Sequence, residues 1–146
     1  MPTTIAQQIL DHVETHLGTI PGVTVWGNRT EEVDKFPALV VVEGEDKPDN
    51  DNTGVTLITM SVGIEGHVQA TTDAELRAAR EALYAAALAK LLADTTQGGR
   101  AIDTNHTGTE RWTDQGEGHK PTAGFSAALE ILFATVEGDP FTQAGI

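Results

Sequence analysis

The chain has 146 residues, no cysteine, and 22 acidic against 9 basic side chains, which gives a net charge of −13. This length favours one domain. The lack of cysteine excludes disulfides and cysteine-based metal sites. The excess of acidic side chains argues against binding to nucleic acids or anionic membranes, because those partners attract basic surfaces. No apolar run approaches the roughly 20 residues that span a bilayer, and we expect no signal peptide because the N-terminus lacks a basic stretch followed by an apolar core.

The first predicted elements are a helix and two strands. Thr4 opens a capping-box pattern, and Gly18 is positioned to end the helix. Between them, apolar residues recur at every fourth position: Ile5, Ile9, Val13 and Leu17. Residues 23–26 predict a short strand. The continuous apolar run at residues 38–42 is typical of a strand buried on both faces.

Residues 43–54 form the most polar stretch and predict a flexible loop between two strands. Within it, residues 49–54 imitate the first half of an EF-hand calcium loop. The twelfth position of that loop needs a bidentate glutamate and is Met60 here. We therefore favour a flexible acidic loop, with weak calcium binding as the lesser alternative.

Residues 55–66 and 72–93 predict a long strand that leads into a long helix. Ile58, Met60, Val62 and Ile64 alternate with the small or polar Thr59, Ser61, Gly63 and Glu65, and this period of two predicts a strand with one buried face. Thr72 and Glu75 fit a second capping box, and the following run is rich in Ala and Leu. We expect Leu76 and Leu83 to cover the apolar strand face.

The last third predicts an edge strand at residues 100–113, a loop, a strand at 123–136 and an irregular tail at 137–146. The order of elements is then α-β-β-β-α-β-β. It predicts an α+β fold: a mainly antiparallel sheet of four to five strands, with both helices on one face and residues 1–146 as one domain.

The sequence contains few residues in patterns that indicate catalysis or metal binding. The sequence has no G-x-S-x-G nucleophile motif, P-loop or dinucleotide-binding glycine motif. His12 and His16 are spaced to project from one side of the first helix, but a catalytic zinc needs a third ligand, so we favour solvent-facing histidines. Residues 106–119 contain acidic side chains and histidines, but their positions in the sequence do not indicate an acid–base pair. A small-molecule-binding or hydrolytic domain, with the open sheet face as its pocket, stays the less favoured alternative.

Four features in sequence order resemble a known family. They are the N-terminal helix followed by residues 21–25, the strand at 36–42, the polar loop, strand and Ala-rich helix of residues 43–93, and the Gly98–Ile102 segment before the closing strand. Together they resemble the bacteriophage tail terminators, the family of minor tail protein U and related tail-completion proteins. The resemblance covers nearly the whole chain, but it is a pattern of elements and contains no catalytic signature.

The resemblance implies a structural protein without catalysis, cofactor or membrane association. It implies a homo-oligomeric ring, usually a hexamer, that caps the head-proximal end of the tail tube, stops tube polymerisation and offers a surface for head joining. The implied partners are the major tail tube protein and a neck or head-completion protein, with DNA passing through the channel without specific binding. The implied location is the virion tail, after assembly in the host cytoplasm. Neck and head–tail connector proteins share the pattern and remain the alternative.

We predict no catalytic, cofactor-binding or metal residues. The candidate assembly residues are polar or charged side chains of the predicted loops, outer strand face, helix and edge strand: Glu45, Asp46, Asp49, Asp51, Thr59, Ser61, Glu65, Arg77, Glu81, Arg111 and Glu117. Arg77 and Glu81 lie one helical turn apart and are also predicted to form an ion pair.

Overall fold

The computed structural model describes residues 2–27, 33–50, 53–116 and 118–145. Within these residues the chain forms helices α1 (Ile5–Leu17) and α2 (Asp73–Ala93) and strands β1 (Thr24–Gly27), β2 (Ala38–Asn50), β3 (Val55–Gln69), β4 (Asp103–Asp114), β5 (Thr122–Val136) and β6 (Asp139–Gln143). The sheet order is β1-β2-β3-β5-β4, and β6 also pairs with β5. Only β1 and β2 are parallel among these pairs. The α+β prediction is confirmed, with β6 as an added strand.

Both helices begin where their capping residues predict. The Thr4 hydroxyl oxygen accepts a hydrogen bond from the Gln7 backbone N–H, and the Thr72 hydroxyl oxygen accepts one from the Glu75 backbone N–H. These contacts satisfy N–H groups that have no partner within the helix. α1 ends at Gly18 as predicted, whereas α2 ends at Asp94, before the two glycines.

The core lies between the sheet and the two helices. Its largest fully buried side chains include Phe125 and Phe133 on β5 and Ile64 on β3. The apolar stripe of α1 and the α2 residues Leu76, Leu83, Ala87 and Leu91 belong to the same cluster. The side chains of β3 and β5 therefore alternate between the two sheet faces as expected. One face packs under both helices, and the other face points away from them.

The predicted loop at residues 43–54 is wrong over most of its length. β2 continues to Asn50 and pairs with β3 from Asp46↔Met60 to Asn50↔Thr56, after a bulge between Glu43 and Asp46. β3 is already held on its other side by β5, so its free backbone groups favour pairing despite the low strand propensity of this sequence. Pro48 is tolerated because β1 pairs with β2 no further than Val41, which leaves this part of β2 at an edge.

The predicted irregular tail also contains regular structure. β6 pairs with the end of β5 through Thr135↔Gln143 and Val136↔Asp139. Gly138 has φ 77° in the intervening turn, a conformation that glycine adopts readily. The Asp139 carboxylate accepts hydrogen bonds from the Phe141 N–H and the Thr142 hydroxyl. This local bonding organises a segment whose composition alone indicated no strand.

A buried glutamine stabilises the connection between α2 and β4 through hydrogen bonds. Gln97 is fully buried with φ 48°. Its side-chain Nε2 donates to the Leu91 carbonyl at 3.3 Å and to the Thr104 hydroxyl oxygen at 3.1 Å, and its Oε1 accepts from His12 Nδ1 at 3.2 Å. One amide therefore joins α1, α2 and β4.

Replacing Gln97 with leucine is expected to destabilise the protein. Gln97→Leu removes the side-chain donor to the Leu91 carbonyl and one of two partners of the Thr104 hydroxyl, which still donates to the Thr95 carbonyl. An unsatisfied buried polar group costs about 1–3 kcal/mol. We expect the free energy of unfolding, measured by urea denaturation, to fall by about 2 kcal/mol or more. Gln7→Leu on the exposed face of α1 is the control and is expected to change it by less than about 0.5 kcal/mol. Equal effects of the two substitutions would contradict this role.

Candidate assembly surfaces

The outer face, defined as the face of β3 and β5 that points away from the helices, carries three predicted assembly residues. Thr59, Ser61 and Glu65 alternate along β3 with the core residues and are half-buried. Opposite them on β5 lie Leu132, Glu130 and Ser126, respectively. The structure therefore brings these residues together on one continuous surface. Both helices pack on the other side, so neither helix of the described residues covers this surface.

At one end of the outer face, aromatic and imidazole rings pack together. The His67 and Trp112 rings are edge-to-face with centroids 5.3 Å apart, and His67 Nε2 lies 3.3 Å from Glu65 Oε1. Trp112 lies across Gly124, where an added Cβ would clash with the indole. The sequence pattern did not predict this contact. Glycine inside a strand was its available signal, since glycine often marks a close approach.

The acidic arm, residues 43–50 of β2, holds three more predicted residues. Glu45, Asp46 and Asp49 are exposed on it, whereas Asp51 lies outside the described residues. The register puts Asp46 on the helix-side face opposite Met60, and Asp49 on the outer face opposite Leu57. The arm therefore presents negative charge on both faces.

Carboxylates of α1 and β2 crowd together on the helix side of the acidic arm. Burial raises the pKa of Glu14, and repulsion from Asp11 and Glu43 raises it further. Burial and repulsion from Glu43 likewise raise the pKa of Asp46. Glu14 on α1 therefore lies near Glu43 on β2, and Asp46 lies near Glu43 on the same strand, so the charged forms of Glu14 and Asp46 oppose folding.

The remaining described candidates lie on the helix side, between α2 and β4. Both Glu81 carboxylate oxygens accept from Arg111 Nε at 3.1 Å, and Arg111 Nη2 lies 3.0 Å from Oε1. The Arg111 guanidinium also lies 4.9 Å from the centre of the Tyr84 ring. Hydrogen bonding from Arg111 is the main cause that lowers the pKa of Glu81. Arg111 and Glu81 thus hold an edge strand to a helix within one chain.

The predicted ion pair between Arg77 and Glu81 is wrong. Glu81 pairs with Arg80, at 3.3 Å, and with Arg111, because β4 brings the Arg111 guanidinium to the helix, which sequence spacing could not indicate. Arg77 is exposed. Glu117 lies outside the described residues. Thus Arg77, Glu81 and Arg111 occupy the opposite side of the sheet from Thr59, Ser61 and Glu65.

The histidines considered for chemistry make local contacts. His12 Nδ1 donates to Gln97, and the His12 and His16 rings lie edge-to-face with centroids 5.4 Å apart. His106 Nε2 lies 2.6 Å from the Thr109 hydroxyl oxygen, and His119 Nδ1 donates to the Lys120 carbonyl. Across the described ranges, no group of three or more His, Asp or Glu side chains could hold a metal ion. In the same ranges, no helix is both long and apolar enough to cross a membrane.

An apolar groove lies on the helix side, at the end where β3 finishes. Its volume is about 290 Å³, and its walls come from four separate segments: Ile20, Val23, Phe36, Pro37, Val68, Gln69, Ala79, Ala82, Leu83 and Ala86. The groove is not visible in the sequence because these segments meet only in the folded chain. The small-molecule alternative predicted a pocket on the open sheet face, whereas this groove lies on the other side and contains few polar groups.

No protein-family profile matches the sequence, and no curated protein matches it. Among solved structures, the chain is similar to one from a "Virion of native gene transfer agent (GTA) particle", with 14% identity, a TM-score of 0.47, and coverage of 88% of this chain and 92% of that chain. At that identity and TM-score the likeness does not bear on function.

Removing one carboxylate from the α1–β2 junction is expected to stabilise the protein. The raised pKa values of Glu14 and Asp46 mean that the folded state binds protons more tightly than the unfolded state, so stability falls as pH rises through those values. Asp46→Asn relieves this repulsion. Because the site is mostly exposed, we expect a gain of about 0.2–1 kcal/mol at pH 7 and low salt.

The pH and salt dependence distinguish repulsion from other effects. The gain should disappear as pH falls below the raised pKa values, where wild-type carboxyls are protonated, and shrink in about 1 M salt. Asp49→Asn makes the same charge change on the outer face of the same strand and serves as the control. Urea denaturation at several pH values would measure both, and equal gains for the two variants would refute a local effect.

Proposed function

We propose that this protein is a structural tail terminator: it forms a homo-oligomeric ring, of six copies by analogy with the family, that caps the head-proximal end of a phage tail tube. The observation that carries the proposal is the outer face, a broad sheet surface with both helices on its other side. The sequence resemblance suggests a ring as the type of assembly, and the outer face is a surface suited to contacts within such a ring.

The composition of the outer face suits contact with another subunit. Gly63 and Ser61 on β3 and Ala128 on β5 are small, so a neighbouring backbone can approach closely. Glu65 and Glu130 add charge that favours a defined orientation. A closed ring built by head-to-tail contacts needs two different complementary surfaces on each copy. We assign the outer face to the interface between neighbouring copies.

The acidic arm suits contact with an axial neighbour, either the tail tube protein or a head-completion protein. Its side chains are exposed along residues 43–50, and β1 covers only the first part of this strand. A partner with a basic patch would be attracted to it and oriented by it. The net charge of −13 also suits a channel through which DNA slides, because acidic walls repel phosphates.

The spread of titratable side chains favours a structural role over an enzymatic one. Glu81 and Arg111 neutralise each other, the candidate histidines make local contacts, and the main apolar groove contains few polar groups. An active site normally combines a concave pocket with several convergent polar groups. The outer face and acidic arm offer surface in place of such a pocket.

Ring formation and tube capping test the proposal together. Purified protein is expected to form a discrete oligomer by native mass spectrometry, alone or on the ends of tail tubes formed by the tube protein of the same phage. Adding it during tube polymerisation should stop growth and shorten the tubes seen by electron microscopy. A protein that stays monomeric at every concentration and leaves tube length unchanged would refute the terminator function.

A substitution on the outer face separates assembly from folding. Ser61→Arg places a long charged side chain at the centre of this face, opposite Glu130, and should abolish the oligomer while the circular-dichroism spectrum stays that of the folded monomer. Gln7→Arg, on the exposed face of α1, is the control and should leave assembly intact. If the ring survives Ser61→Arg unchanged, the outer face is not one of its interfaces.

A further inference from the structure

Two apolar features lie at opposite ends of the molecule. One is the apolar groove, whose wall includes Val68 near the end of β3. The other is the apolar tip, defined as the exposed side chains Val136 and Phe141 at the β5–β6 turn. Among the large apolar side chains that the structure describes, Phe141 is the most exposed, at 47% of its surface. Burying its exposed apolar surface against a partner would be favourable, because apolar area removed from water stabilises a complex.

The sheet register separates the two features. Val136 pairs with Val55, at the first position of β3, whereas Val68 lies 13 positions further along. At about 3.3 Å per residue, the tip and the groove are roughly 40 Å apart. The tip of one copy therefore cannot fill its own groove, but it can reach the groove of another copy.

The charges around the two features are complementary. Glu137 and Asp139 flank the turn of the tip. At the groove, Lys35 directly precedes the lining residue Phe36. Lys120 directly precedes Pro121. The Pro121 carbonyl accepts a hydrogen bond from the backbone N–H of Ala70, which follows the lining residue Gln69. These two lysines place two positive charges, and Asp34 places one negative charge, in the segments that border the groove.

We infer that Phe141 of one copy inserts into the apolar groove of a second copy, with Glu137 and Asp139 beside Lys35 and Lys120. The inference rests on the proposed ring and names one of its contacts. The groove volume of about 290 Å³ admits one aromatic side chain. Because tip and groove are different surfaces, the contact is head-to-tail, and repeating it produces a ring when the rotation closes.

Two variants test the contact from its two sides. Phe141→Ser removes the inserted side chain, and Ala82→Trp fills the groove from its exposed wall. Each variant alone is expected to weaken self-association by more than about tenfold in sedimentation velocity, since anchor residues of this type carry much of the binding energy. Leu92→Ser removes an exposed apolar side chain elsewhere and should leave association unchanged.

Mixing the variants gives a result that general loss of folding cannot imitate. A Phe141→Ser chain keeps an intact groove, and an Ala82→Trp chain keeps an intact tip. An equimolar mixture should therefore form heterodimers joined by one wild-type contact, detectable by native mass spectrometry, and should not form full rings. Absence of heterodimers, or wild-type association of either variant alone, would overturn the inference.

The outcomes separate this inference from the proposed function. Self-association that depends on Phe141 and Ala82, without tube capping, would support the contact and refute the terminator role. Capping by rings that are insensitive to both substitutions would support the terminator role and refute the contact. A wild-type chain that neither self-associates nor caps tubes would refute both.

Discussion

The antiparallel pairing of β3 with β5 is the constraint on which the other elements depend. The two strands pair along 15 residues, from Val55↔Val136 to Gln69↔Thr122. Their inner side chains form the floor of the core, and both helices bury their apolar faces on it. Their free edges receive β2 on one side and β4 and β6 on the other. Even the polar residues of the acidic arm join the sheet because β3 offers them backbone hydrogen bonds.

The two faces of the sheet differ in what their side chains contact. The helix side contains the apolar core, the buried Gln97 and the Glu81–Arg111 pair, all of which stabilise one chain. In the described part of the chain neither helix covers the outer face, and its small and polar side chains are half-buried or exposed. The ends of the sheet add a further contrast, because the apolar groove lies at one end and the exposed Phe141 at the other. Such a distribution is what head-to-tail assembly requires.

The candidate residues were predictable to different degrees. Thr59, Ser61 and Glu65 could be placed on one face from alternation alone, because side-chain direction in a strand has a period of two. The partner of Glu81 could not, since Arg111 lies 30 residues away and approaches only through strand pairing. The proximity of Glu14 on α1 to Glu43 on β2 has the same origin. Pairwise contacts between distant segments depend on register, and a single sequence contains little information about register.

The helices, the apolar strands and the order of elements follow from local sequence signals, because capping residues and hydrophobic periodicity act over a few neighbouring residues. Thr4, Thr72 and the alternation from Ile58 to Ile64 are sufficient for those assignments. Tertiary structure alone decided that residues 43–50 and 139–143 are strands, since their composition favours loops and only an available strand edge makes pairing favourable. It also created the apolar groove, because four segments that are distant in sequence meet there when the helices pack on the sheet.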